Sequence, residues 1–181
     1  MRNFPVTVEG KEYWISRSVA TVGFIFTVDN GLRVLAVKRG KGAPDNIGKW
    51  CAPCGYLDYD ETLRECCCRE VLEETGLKIR RNSLQPFGVD DVPTGRQNIT
   101  HRFWDFSINY GGQTVYPGGT EPNEIEDVEW IGMSELNHYE WAFGHKRLIA
   151  CLACDYLKKY LSNSEKRIIK DIIYSVEQED D

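Results

Sequence analysis

Residues 50–77 read WCAPCGYLDYDETLRECCCREVLEETGL (Trp50–Leu77), a segment that holds five of the chain's seven cysteines and closes on Glu70, Glu73 and Glu74. Its left half suggests thiol or zinc chemistry, and its right half an acidic surface on a helix. The helical pattern runs from Glu61 to Thr75 and stops at Gly76, a residue suited to a left-handed cap. At ~100° per residue, Glu73 lies about 60° to one side of Glu70 and Glu74 about 40° to the other, so three carboxylates share an arc of about 100°. Cys67, Cys68, Val71 and Leu72 form the neighbouring arc, expected to face the core, with Glu74 expected on an exposed helix face. Like charges at this spacing destabilise a helix by a few tenths of a kcal/mol. A solvated acidic face is the plain reading. Against it, Arg64, Arg69 and Lys78 are not spaced to neutralise all three acids, and clustered carboxylate oxygens suit a hard divalent cation.

The cysteines point elsewhere only at first sight. Cys51-Ala52-Pro53-Cys54 has redox-motif spacing, but such a motif opens a helix directly, and here Gly-Tyr-Leu-Asp-Tyr-Asp follows, which favours turns. A zinc site would pair Cys51 and Cys54 with Cys151 and Cys154, yet the second pair sits in a helical stretch where i,i+3 spacing suits a buried face. Cys66, Cys67 and Cys68 are consecutive and cannot all ligate one ion. Free cysteine packs as a small hydrophobe, and these thiols read mostly as core.

Outward from this segment, VATVGFIFTV (19–28), Asp29-Asn30-Gly31 and LRVLAVKR (32–39) read as a strand, a tight turn and a second strand. Residues 41–50 form a Gly-, Pro- and Asn-rich loop, and 101–110 an aromatic strand. EDVEWIGM reads as a short strand leading into a helical SELNHYEW, with further helix at about 145–160 and from Ser164 to Val176. Interspersed strands and helices argue for an α+β domain, a mixed sheet between helices. At 181 residues one domain is expected. A net charge of −6 argues against a surface that holds nucleic acid by phosphate contacts. With no secretory h-region at the N-terminus and no apolar run long enough to span a bilayer, a reducing cytoplasm and no membrane partner are expected.

Written by position, the segment is Gly55, five residues, Glu61, seven residues, Arg69-Glu70-Val71, one residue, Glu73-Glu74, one residue, Gly76-Leu77. It resembles the Nudix box at every defined position, a coincidence on the order of one in a billion per starting point at average residue usage. The flanks, Val37-Lys38-Arg39 and Gly48-Lys49-Trp50 leading to Pro53, are similar to the approach seen in many members. The resemblance implies a Nudix fold, an α/β/α sandwich, over residues 1–181, with the box at 55–77 and a C-terminal helical extension at about 145–177. It also implies a Mg²⁺-dependent diphosphohydrolase, with Mn²⁺ as the other candidate ion. By position Glu70, Glu73 and Glu74 are the metal-binding carboxylates, the backbone carbonyl of Cys54 a further ligand, and Glu61 with Arg69 a structural salt bridge. Members usually carry Gly-Gly where this chain has Cys54-Gly55, which leaves the backbone less freedom at Cys54. The resemblance also implies a loop acid beyond the box as ligand or base, for which Glu124 is the candidate and Glu126 the second.

A diphosphate brought to a carboxylate cluster is repelled, so metal must carry the attraction. Among Lys38, Arg39, Lys49, Arg96 and Arg102, Arg39 is favoured as a substrate contact because it closes a strand just ahead of the box loop. Pro93 is similar to a downstream proline of the ADP-ribose-cleaving branch, whereas position 95 is glycine where the dinucleoside-polyphosphate branch tends to have tyrosine. Ser83-Leu84-Gln85-Pro86-Phe87 resembles the start of the array in NADH-cleaving members, but the rest of that array is absent. Trp104, Phe106 and Tyr110 offer rings for a base, though alternating strand aromatics are more often core. The expected substrate is an ADP-ribose-like nucleoside diphosphate derivative, then a nucleoside triphosphate such as an oxidised one. A non-catalytic nucleotide-binding Nudix module is the rival of another class, and a homodimer stays open.

Overall fold

Asn30 and Gly31 take φ of 50° and 121°, the turn geometry that lets the chain fold back after its longest strand. The computed structural model describes residues 4–93, 98–119 and 123–175. Its strands are β1 (Phe4–Val8), β2 (Lys11–Ile15), β3 (Val19–Val28), β4 (Leu32–Arg39), β5 (Trp50–Cys51), β6 (Cys54–Tyr56), β7 (Gln85–Asp90), β8 (Ile99–Phe106) and β9 (Ile125–Gly132). Its helices are α1 (Leu63–Thr75), α2 (His145–Tyr156) and α3 (Asn163–Tyr174). The main sheet runs β5-β4-β3-β8-β7, with β6 added to β3 and β9 to β4. The pairing of β3 with β8 is parallel and the other pairings are antiparallel, so the sheet is mixed. No helix among the described residues is long and apolar enough to cross a membrane.

β3 reads as a continuous apolar run because both its faces are covered. Val22, Phe24 and Phe26 pack with Ile149, Leu152, Ile169 and Ile172 of α2 and α3. On the opposite face Ile25 packs with Cys67 and Val71 of α1, and Thr21 Oγ1 donates to Cys66 Sγ at 3.2 Å. A side chain at Gly23 would begin 2.9 Å from Cys67 Sγ, so this glycine sets how closely α1 approaches the sheet. The result is an α/β/α sandwich with α1 on one side and α2 and α3 on the other. Cys51, Cys66 and Cys67 are fully buried, and all seven thiols are free.

α1 starts with a capping box, Thr62 and Glu65 each bonding the other's backbone N–H, and stops at Gly76 with φ 71°. Its buried stripe is Cys66, Cys67, Val71, Glu74 and Thr75. The helix is therefore rotated from the expected setting: Leu72 is 46% exposed and Glu74 only 4%. Helix is also shorter than expected across residues 134–141. Only Leu136–His138 form a 3-10 turn, because Trp50 N donates to Glu140 O and Ala142 N to Trp50 O, which pulls the chain extended against β5. The aromatic strand ends at Phe106, since Tyr110 turns inward to donate its hydroxyl to Asp105 at 2.6 Å. β1, β2 and β7 were not expected. Their residues are largely exposed, which leaves no alternation to read.

α2 begins at His145, which is 5% exposed and accepts from Ala52 N through Nδ1 at 3.0 Å. Burial, with the positive charges of Arg102 and Arg39 nearby, pushes its pKa from 6.5 down to about 3. The folded protein therefore holds this imidazole neutral where the unfolded chain would protonate it. Its contribution is complete above about pH 6.5 and is lost as pH falls toward 3, amounting to about 3 kcal/mol by pH 4.5. Urea unfolding at pH 7 and 4.5 is expected to show a smaller acid loss in His145→Gln than in the wild type. Equal losses would contradict this account.

Candidate active site

Arg69 gathers the acids of α1 and the loop before it. Its Nε donates to Glu61 Oε2 at 3.1 Å, and Nη2 donates to Glu61 Oε1 at 2.6 Å and to the Tyr56 carbonyl at 2.9 Å. Its Nη1 donates to Glu70 Oε1 at 2.8 Å and Glu73 Oε2 at 3.1 Å. Glu61 also accepts from Asp58 N at 2.9 Å. The hydrogen bonds from Arg69 hold the Glu61 carboxyl below its usual range despite partial burial. One planar guanidinium thus ties loop 56–61 to the helix, a fork-shaped task that a lysine could not perform.

Glu70 lies beneath β6, its side chain 13% exposed. A Cβ at position 55 would fall on its carboxylate, so Gly55 leaves the space in which that carboxylate sits and a larger residue would push it aside. Burial pushes the Glu70 carboxyl up to about 7, with Arg69 opposing and Glu73 and Glu124 adding repulsion. Glu74 is deeper and accepts from Cys54 N at 3.1 Å. Burial raises its pKa well above the carboxylate range, reinforced by neighbouring Cys54, Glu70 and Glu124. The expectation of an exposed Glu74 is thus corrected: the rotation that turns Leu72 to solvent turns Glu74 under β6. Glu73 is outermost, its side chain 29% exposed.

The 116–119 loop fixes this end of the helix. Gly119 N donates to Glu73 O at 2.7 Å and Gly118 N to Glu74 O at 3.1 Å, with no room for a side chain at 118. Glu124 is placed from the other side, where Gly40 N donates to Glu124 O at 2.6 Å. Its rival Glu126 is paired with Lys38 at 2.6 Å. Glu70, Glu73, Glu74 and Glu124 form a repelling set in which Arg69 is the cation bonded to Glu70 and Glu73. Among the described residues no three such side chains converge closely enough to hold an ion as they stand. Mg²⁺ keeps much of its water and binds through one or two carboxylates plus substrate phosphates, so the donor chemistry fits without a ready-made cage.

Beside the acids lies a cavity of about 540 Å³, lined among others by Arg39, Asp90, Arg102, Glu124 and Phe143. Arg39 is 5% exposed. Its Nε donates to Asp45 O at 2.9 Å and Nη2 to Asp45 Oδ1 at 3.1 Å, and its guanidinium lies 5.1 Å from the Phe143 ring centre. It braces loop 40–49 while reaching the cavity wall. Arg102 Nη2 donates to Asp90 at 3.2 Å. Arg96 and Gly95 fall outside the described residues. Trp104 and Phe106 stack on Tyr156 and Tyr160, away from the acids. Asp90, Phe143 and His145 escaped the sequence reading, since each acts through a contact distant in sequence. Gly55→Ala, which keeps an ordinary backbone but intrudes on Glu70, is expected to weaken Mn²⁺ binding at least ~10-fold while costing only about 1–2 kcal/mol of stability. Mn²⁺ titration by electron paramagnetic resonance measures the first, and unchanged affinity would contradict the spatial role of Gly55.

Comparison with known proteins identifies the family and the fold. The model of the NUDIX domain family matches residues 17–152. A curated relative, the NAD-capped RNA hydrolase NudC of Stutzerimonas stutzeri (strain A1501), is 31% identical over 117 residues, covering 62% of this chain. The chain spans only 36% of that relative's length. Among solved structures, the NUDIX domain of Shewanella oneidensis NrtR complexed with ADP ribose is similar at TM-score 0.62 and 21% identity, over 75% of this chain and 85% of that one. A Francisella tularensis bifunctional NMN adenylyltransferase/ADP ribose pyrophosphatase, complexed with AMP and a Mn ion, is similar at TM-score 0.63 and 20% identity, over 81% of this chain and 42% of that one. With the family model covering most of its length and the box intact at residues 55–77, the chain belongs to the NUDIX domain family.

Proposed function

We propose that this chain is a divalent-cation-dependent diphosphohydrolase that cleaves the phosphoanhydride of a nucleoside diphosphate derivative, with ADP-ribose-like sugars preferred to nucleoside triphosphates. The observation that carries the reading is an excess of carboxylates beside a nucleotide-sized cavity: Glu124 lines it, while Glu70 and Glu74 lie directly behind its Gly55 and Cys54 wall with Glu73 next to them. Glu70 and Glu74 are the proposed principal ligands, with Glu73 and the Cys54 carbonyl supporting them. A bound Mg²⁺ or Mn²⁺ would offset the phosphate charge and acidify the attacking water. Arg69 releases Glu70 and Glu73 for this purpose while its bonds to Glu61 and Tyr56 keep the helix in place. Glu124 accepts the proton of the attacking water as oxygen bonds to phosphorus. The bridging P–O bond breaks, and ADP-ribose plus water yields AMP and ribose 5-phosphate.

The cavity wall favours a diphosphate ester over a triphosphate. Arg39 is shared with Asp45 and Arg102 with Asp90, so neither cation is available at full strength for a chain of three phosphates. Asp90, Asn98 and Thr100 also present hydrogen-bonding groups that suit a hydroxyl-rich second half. The names of the similar NrtR domain and the ADP ribose pyrophosphatase support the same substrate class.

A panel of nucleotide sugars, dinucleotides and nucleoside triphosphates with Mg²⁺, products identified by mass spectrometry, tests the proposal. Hydrolysis of ADP-ribose to AMP is expected, and inactivity across the panel would leave the non-catalytic binding module as the better account. Glu74→Gln is expected to lower kcat at least ~1,000-fold without unfolding the protein, because glutamine keeps the acceptor for Cys54 N. Glu124→Gln should cost ~100-fold or more and Glu126→Gln less than about 3-fold. A larger effect at Glu126 would reverse the assignment of the loop acid.

A further inference from the structure

Phe143 stands in the left-handed region, with φ of 58°, directly before Gly144 at 67°. A bulky non-glycine residue there is strained, and such strain persists only where the surroundings enforce it. The neighbours supply the enforcement: Ala142 N is bonded to Trp50 O and His145 N to Ala142 O, which pins the chain on both sides. The strain has a consequence for the ring. It remains 43% exposed on the wall of the 540 Å³ cavity, although Ala142 before it and His145 after it are buried. The buried Arg39 guanidinium backs it at 5.1 Å, and the His145 ring contacts it at 5.4 Å, tilted by 56°. Arg39 is in turn fixed by two bonds to Asp45.

A cation-backed ring, pinned by its flanking backbone bonds and exposed on a cavity wall, is a platform for a flat, uncharged π-system. From this arrangement we infer that Phe143 is the stacking residue for the nucleobase of the substrate, and that Arg39 acts through it as a positioning residue. The inference rests on the nucleotide reading of this cavity and adds the residue that recognises the base. Every base presents a π-face, so the platform sets affinity for bases in general, and hydrogen bonds elsewhere in the cavity discriminate among them. The other exposed ring on the wall, Tyr56, has no left-handed backbone to hold it in place.

Binding of AMP, which contains no phosphoanhydride to cleave, separates recognition from turnover, and inorganic pyrophosphate is the ligand without a base. In calorimetric titrations with Mg²⁺, Phe143→Leu is expected to raise the Kd for AMP roughly 10- to 100-fold and to leave that for pyrophosphate within about 2-fold. Phe143→Tyr should restore AMP binding. With ADP-ribose, Phe143→Leu should raise KM while kcat changes less than about 3-fold. AMP loss in the leucine variant of a wild type that hydrolyses nothing would sustain the stacking role and refute the hydrolase reading. Unchanged AMP affinity in Phe143→Leu, parallel loss of AMP and pyrophosphate, or a wild type that does not bind AMP would overturn the inference.

Discussion

Arg69 sets the geometry on which the rest of the site depends. A single guanidinium joins the Tyr56 carbonyl and Glu61, both in the segment before α1, to Glu70 and Glu73 on the helix itself. Because the fork is planar and its donors fixed, the loop and the helix cannot slide relative to one another without breaking several charge-assisted bonds at once. That constraint brings Gly55 over Glu70 and the N–H of Cys54 onto Glu74. Around this clamp the sheet contributes closeness: Gly23 lets α1 settle against β3, and Gly118 lets the 116–119 loop seal the helix end.

The same packing makes the acids costly to the isolated protein. Burial raises the pKa of both Glu70 and Glu74, which is a statement that their charged forms are destabilised in the fold. A chain under pressure only for stability would replace Glu74 by an apolar residue, since its neighbours along the buried stripe are Val71 and Cys67. Its presence there argues for a partner of opposite charge acquired with function. The exposed and strained Phe143 belongs to the same pattern, in which local stability is conceded at the cavity and recovered in the two apolar layers of the sandwich.

Much of this was legible in sequence because the decisive signals are local. The Asn30-Gly31 turn, the two-faced apolar run of β3 and the spacing from Gly55 to Leu77 each depend on residues near one another in the chain. Helix periodicity located the acids but misplaced the buried stripe by about one residue's rotation, because Leu72 and Glu74 compete for the same edge and hydropathy alone favours leucine. The seat of Glu74 is decided by Cys54 N, twenty residues away. The pairing of Lys38 with Glu126, which separates Glu124 from its neighbour, comes from the β4–β9 register. Phe143 and His145 gain their roles from Arg39 and Ala52, contacts no window along the chain contains.

The central claim is that Glu70 and Glu74 hold the cation on which diphosphate cleavage depends. Anomalous diffraction from crystals grown with Mn²⁺ locates that ion directly. The account predicts manganese within about 2.1 Å of carboxylate oxygens of Glu70 and Glu74, with Arg69 still bonded to Glu61 but no longer to Glu70. Manganese bound elsewhere, with Glu70 still clasped by Arg69 and Glu74 still buried beneath Cys54, would contradict it.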